Sequence, residues 1–301
     1  MGATRTSAFL LLALANLLWS GNWVAGRALR EAFDPVTLNF LRWVVAIAVI
    51  APFALPRMRG KWPAVRRHAG ILFLLALFGV AIFQSLVYGG LRTTTAVNAV
   101  LLNASMPMFM LLCSWLIERE RATRSQVAGM LISIAGILVI LGRGEPETLL
   151  QLRLHAGDFW ILLAMPVWGV YSVLLKRRPP ELGGLELLFV ISLVGAALLV
   201  PVVAVLAALE PPRWPGAPAA AGVLYMGVCA SVLAFAFWNR GVAVVGANAA
   251  GFTVHLLPAF GTLLAILLLG ETFQGFHALG IATILAGVLL ATVGGRARGK
   301  P

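Results

Sequence analysis

Along this chain, long apolar runs alternate with short polar breaks. The runs last about 17 to 25 residues, the length at which an α-helix crosses ~30 Å of hydrocarbon. They predict helices over residues 8–26, 35–55, 70–90, 96–117, 124–142, 157–175, 184–208, 217–239, 246–268 and 274–293. A membrane barrel would instead alternate in polarity over segments of roughly ten residues. Lipid offers no hydrogen bonds, so the runs specify helices, which satisfy their own backbone groups. Boundary chemistry agrees with the hydropathy. Asp34-Pro35 offers a capping acceptor and then a proline at the first helical position, and Thr123 with Gln126 makes a capping box at the fifth helix. The N-terminal run lacks a small-x-small cleavage site and reads as the first helix rather than a signal peptide.

Composition sharpens this. Of 301 residues, 60% are hydrophobic and 11% charged, with mean hydropathy +0.94. Soluble domains carry roughly 25% charged residues. The net charge of +12 would suggest nucleic acid in a soluble chain. Here the basic residues sit in short loops, and no nucleic-acid partner is expected; the partners are a lipid bilayer and a small molecule. With the N-terminus in the cytoplasm, sixteen of the 23 Lys and Arg fall on the cytoplasmic side, six fall opposite, and Arg42 lies within a span. That bias puts both termini inside and requires an even number of spans. Cys113 and Cys229 lie in apolar runs and read as packing residues, with no disulfide framework or metal spacing. No G-x-x-x-x-G-K-[ST] loop is present, and no cofactor is expected.

The halves resemble one another. Trp19/Trp168, Arg27/Lys176, Phe40/Phe189 and Pro52/Pro201 are each 149 residues apart, and Gly79/Gly227 are 148 apart. Pro107/Pro258, Glu120/Glu271, Gly129/Gly280 and Gly136/Gly287 are each 151 apart. With five helices per repeat, the second must insert upside down. The expected fold is therefore all-α integral membrane, ten transmembrane helices as two inverted five-helix repeats. Their boundaries are 1–142 for the first repeat, 143–156 for a linker, 157–295 for the second repeat and 296–301 for a cytoplasmic tail. Transporters with this architecture bind substrate near midplane, between the repeats.

The segment Asp34-Pro35-Val36-Thr37-Leu38-Asn39-Phe40-Leu41-Arg42, and Pro107, Glu120, Gly129 and Gly136 repeated as Pro258, Glu271, Gly280 and Gly287, carry a resemblance over essentially the whole chain. The sequence resembles the EamA-type members of the drug/metabolite transporter superfamily, and within them the YddG-type amino-acid exporters. The resemblance implies a multi-pass carrier of the bacterial inner (plasma) membrane that exports amino acids or related metabolites, and no enzyme. A multidrug or other metabolite exporter of the same superfamily is the alternative. Ile191 stands where the first repeat has Arg42, so the second repeat departs from the pattern there.

Candidate cavity residues are polar or aromatic positions within spans: Asn16, Trp19 and Trp23; Gln84 and Tyr88; Asn98 and Asn103; Trp168 and Tyr171; Trp238 and Asn239; and His255. Aromatics near span ends serve equally well in an interfacial belt, an objection that weighs most on Trp238. His255, near the centre of its helix, is either a hydrogen-bonded core residue or a substrate or proton ligand. Pro107 and Pro258 each release the carbonyl four residues earlier, at Asn103 and Val254, by kinking for packing, by lining a cavity, or both. Glu120 and Glu271 read as helix-end and gating residues, and the paired glycines as close helix contacts or, alternatively, a dimer face. Oligomeric state stays open, a monomer included. No Asp, Glu or Lys lies at a span centre, so a neutral or zwitterionic substrate fits better than a permanent cation or a phosphate.

Overall fold

The computed structural model describes residues 4–94, 96–151, 153–209, 215–269 and 273–293; Glu271 and the 296–301 tail lie outside them. Every regular element among the described residues is helical. In order, α1 is Arg5–Ala28, α2 Pro35–Arg57, α3 Ala69–Thr93, α4 Ala96–Asn103, α5 Met106–Glu118 and α6 Arg124–Leu141. Then come α7 (Ala156–Arg177), α8 (Gly184–Leu209) and α9 (Ala217–Val245). Next, α10 runs through Ala247–Phe252, a tighter turn at Thr253–His255, and Leu256–Leu269; α11 is Gly275–Val293. Nine helices among the described residues are long and apolar enough to cross a membrane, by length and composition.

The expected span 96–117 is interrupted. Pro107 cannot donate to the preceding turn, and the chain breaks helix just ahead of it, at Ala104–Ser105. Ser105 Oγ donates back to the Leu102 carbonyl at 2.6 Å. The carbonyl taken up from another helix is that of Ala104, 3.0 Å from His255 Nε2, rather than that of Asn103. Capping follows the sequence elsewhere. The Asp34 carboxylate accepts from the amides of Val36 and Thr37, and Thr123 and Gln126 close a reciprocal capping box.

Two helices carry π-helical turns, Leu77–Ile82 in α3 and Met226–Leu233 in α9. A π turn lengthens the hydrogen-bond register and frees carbonyls for side chains. Asn39 Nδ2 donates to the carbonyls of Val80 (2.9 Å) and Ala81 (3.1 Å). In α9, Ser231 Oγ donates to the Met226 carbonyl at 2.8 Å, and Trp19 Nε1 to that of Ala230 at 3.0 Å.

Helices from the two ends of the chain pack on one another. α1 lies along α9 and α10, α7 along α3 and α5, α2 along α8, and α6 along α11. The outer surface presents Leu10, Phe53, Leu131, Val205 and Leu289, all exposed. Side chains of that kind over so much of the surface suit lipid and not water.

Candidate functional site

Trp19 on α1 and Trp168 on α7 meet edge to face, with ring centroids 5.2 Å apart and planes at 90°. Trp238 on α9 packs on both, at 5.3 and 5.5 Å, and Phe83 on α3 lies 4.7 Å from Trp168. Tyr171 and Phe235 complete this cluster, and Tyr171 Oη donates to Asn239 Oδ1 at 2.7 Å. Offset and edge-on arrangements suit the quadrupoles of these rings. Trp238 is fully buried, seven residues before the end of its helix, so it does not belong to an interfacial belt.

Beside the cluster lies a narrow cleft of about 20 Å³, room for little more than one water in this conformation. Trp19, Trp23, Phe83 and Trp168 line it with aromatic surface; Met106, Val254 and Leu257 add apolar surface, and Gln84 and Asn103 polar surface. Gln84 Oε1 and Asn103 Oδ1 are buried acceptors with no partner. None of these lining residues is ionisable. The cleft therefore offers ring faces and neutral hydrogen-bond acceptors from α1, α3, α5, α7 and α10 together with the end of α4.

Trp19, Trp23, Gln84, Asn103 and Trp168 meet at the cleft; the other candidates sit elsewhere. Tyr171 and Trp238 lie behind Trp168 in the cluster. Asn16 ties α1 to α10 through Thr253 Oγ1 at 3.1 Å. His255 holds the broken α4–α5 junction: a carbonyl only accepts, so Nε2 carries the proton and Nδ1 is left without a partner. Asn98 is not brought to the cleft. Its Nδ2 donates to Asp158 Oδ2 at 2.8 Å and to the Arg153 carbonyl at 2.8 Å. Asp158 also accepts from Thr94 Oγ1 and from the His155 amide, and Arg27 reaches the Leu91 carbonyl at 2.9 Å. One end of α1, α3, α4 and α7 is thereby stapled together.

At the opposite end Glu120 gathers three partners, Lys176 at 2.5 Å, Ser114 at 3.0 Å and Asn248 at 3.3 Å. It joins the ends of α5, α7 and α10 rather than capping the helix that follows; Thr123 does that. Pro107 lies in the first turn of α5, and Pro258 in the first turn of the last segment of α10. Sequence reasoning did not single out Phe83, Met106 or Leu257, because an apolar side chain facing a cleft looks like one facing a core.

A chain of apolar spanning helices with an uncharged aromatic cleft among them is a multi-pass membrane protein. It belongs to the EamA-like transporter family, whose sequence pattern matches residues 6–142 and again residues 155–293. It is a transporter rather than an enzyme. The chain is similar to the aromatic amino acid exporter YddG of Ancylobacter novellus, at 27% identity over 96% of this chain and 98% of that one. It is also similar to a probable terminal-alkyne amino-acid exporter of Streptantibioticus cattleyicolor, at 26% identity over 93% of this chain and 91% of that one. A solved crystal structure superposes with a TM-score of 0.73 at 26% identity, covering 99% of this chain and all of the other.

Proposed function

We propose that this protein is a secondary carrier that exports amino acids, aromatic and other neutral ones, or closely related small metabolites, by alternating access. The observation that carries this is the cleft, lined by four aromatic rings and two unpartnered amide oxygens with no ionisable side chain. A ligand of net charge buried there would lack a counter-charge, whereas a ring or aliphatic side chain finds apolar walls. The names of the two exporters above point to the same substrate class.

The reading rests on ten crossings in two inverted repeats, with α4 and α5 counted as one interrupted crossing. Helix pairing supports this. α1 packs along α9 and α10 as α7 packs along α3 and α5, which is the exchange expected when α1 and α7 are equivalent. The break at Ala104–Ser105 and the tight turn at Thr253–His255 fall at equivalent positions, and interrupted helices mark the substrate region in inverted-repeat carriers. Trp19, Trp168 and Asn103 then contact substrate, Pro107 and Pro258 keep the interruptions open, and Glu120 latches one end.

Purified protein in liposomes is expected to exchange external labelled phenylalanine for internal neutral amino acids, saturably. Movement of small drugs with no amino-acid exchange would instead mean a multidrug exporter. Orientation gives a second expectation, in the bacterial inner membrane. A single cysteine at Arg66 is expected to resist a membrane-impermeant maleimide in intact cells, while one at Arg153 reacts. The reverse pattern rejects cytoplasmic termini.

A further inference from the structure

Arg42 is 0% exposed, on a helix that spans the membrane. A guanidinium stays charged in proteins and has five N–H donors and no acceptor. None of the ion pairs among the described residues involves it. Its partners are neutral: Nε donates to Ser231 Oγ at 2.7 Å and Nη1 to Tyr88 Oη at 2.7 Å. Tyr88 Oη passes its own proton to Asn22 Oδ1 at 2.9 Å. The rings of Trp43 and Tyr88 lie 5.1 and 5.9 Å from the guanidinium carbon. Four helices thus surround one positive charge without supplying a negative one, an arrangement that is strongly unfavourable when left uncompensated.

What this cluster leaves unused is all of one kind. Arg42 Nη2, Asn22 Nδ2 and Trp43 Nε1 are buried donors with no partner. In the neighbouring cleft two of the unused atoms are acceptors, Gln84 Oε1 and Asn103 Oδ1, and the third is the Trp168 Nε1 donor. The two groups adjoin. Gln84 lies one helical turn before Tyr88 on α3, and Trp23, which lines the cleft, follows Asn22 on α1. Donors beside a fixed positive charge, next to acceptors with no charge, are complementary to a zwitterion.

We propose that Arg42 and Asn22 form a carboxylate subsite that receives the carboxylate of the amino-acid substrate, while its ammonium group faces Gln84 and Asn103. This rests on the amino-acid reading above. Tyr88 and Ser231 are positioning residues that hold the guanidinium. In the present conformation the subsite is closed, so the carboxylate enters when α1 and α3 part beside Trp23 and Gln84.

The test uses the full-length protein in detergent, in a buffer whose only anion is the bulky sulfonate of Hepes. Acetate is expected to raise Tm saturably by about 2–4 °C. Phenylalanine is expected to do the same, and phenylalaninamide, which lacks the carboxylate, to do nothing. Arg42→Gln should lose both responses and Arg42→Lys should retain part. Asn22→Asp builds the missing counter-charge into the site, so it should raise Tm without ligand and abolish the acetate response; this variant keeps the proposal testable if Arg42→Gln does not fold. An acetate response retained in Arg42→Gln, no acetate response in the natural protein, or chloride acting as well as acetate each overturns the carboxylate subsite. An Arg42-dependent acetate response in a protein that exchanges no amino acid keeps the subsite and removes the amino-acid reading. Unchanged phenylalanine exchange in Arg42→Gln does the opposite.

Discussion

Replacing Trp168 with alanine is expected to raise the KM for phenylalanine exchange about tenfold and to lower the stability of the protein by roughly 3–5 kcal/mol. Trp168 touches Trp19, Phe83, Tyr171, Phe235 and Trp238, and it also lines the cleft. Removing the ring takes one wall from the cleft and opens a void among its neighbours. In a bilayer the hydrophobic drive between helices is weak, so the loss is mainly of dispersion contacts and ring geometry. A ring–ring contact with substrate contributes about 0.5–1.5 kcal/mol, a few-fold to about tenfold in affinity. Trp168→Phe separates the two effects. It keeps a ring face for substrate and fills most of the void, so KM should move about twofold while Tm recovers most of the loss. Phe252 is the control. It is equally buried but does not line the cleft. Phe252→Leu should lower Tm with KM for phenylalanine unchanged. A Trp168→Ala protein that folds and exchanges phenylalanine with unaltered KM would put the substrate elsewhere.

The helices were legible because lipid leaves the backbone no other choice and because Asp34, Thr123 and Gln126 announce their ends chemically. Irregularities inside helices were less legible. A π turn is a matter of backbone register, and residues 77–82 and 226–233 carry no composition that distinguishes them; the Gly79/Gly227 pairing was the one trace. The expected eighth span, 217–239, stops short of Arg240. The helix runs on to Val245, where Gly246 at φ +85° turns the chain out of it. Those six further residues set Trp238 deeper in its helix and remove the belt objection to it. Asn98 carries a related ambiguity. A buried amide within a span can serve substrate or staple helix ends, and its bond to Asp158 of α7 has no signature in the local sequence. Arg42 stood out in the sequence as the one basic residue inside a span, but its neutral shell comes from α1, α3 and α9 and has no local signature.

Adding a single methyl group at Gly136 is expected to do more damage to folding than most changes in the cleft. α6 and α11 cross with backbone against backbone: a Cβ at Gly136 would sit 2.7 Å from the Gly280 carbonyl oxygen and 2.8 Å from the Ile284 nitrogen. The relation is reciprocal, since a Cβ at Gly280 would lie 2.9 Å from the Gly136 carbonyl oxygen. Seven residues away, Gly129 and Gly287 repeat the contact at 2.4 and 2.5 Å. No side-chain rotation relieves such a clash, so the helices must separate along the whole seam, where Ser133 Oγ also reaches the Ile284 carbonyl at 3.3 Å. Overpacking of this kind costs about 1–3 kcal/mol where a core can yield, and a backbone-lined seam yields little. Gly136→Ala should lower Tm by several degrees, and Gly136→Leu should leave little monodisperse protein on gel filtration. Gly89 on α3 gives the contrast, because nothing lies within 4 Å of a Cβ built there. Gly89→Ala should be neutral or stabilising by up to about 1 kcal/mol, since alanine restricts the unfolded chain and favours helix. If Gly136→Ala and Gly89→Ala melt alike, the α6–α11 seam is looser than its geometry requires. In that case the glycines serve the alternative role, a contact with a second copy of the chain, and the oligomeric state should change with Gly136 instead.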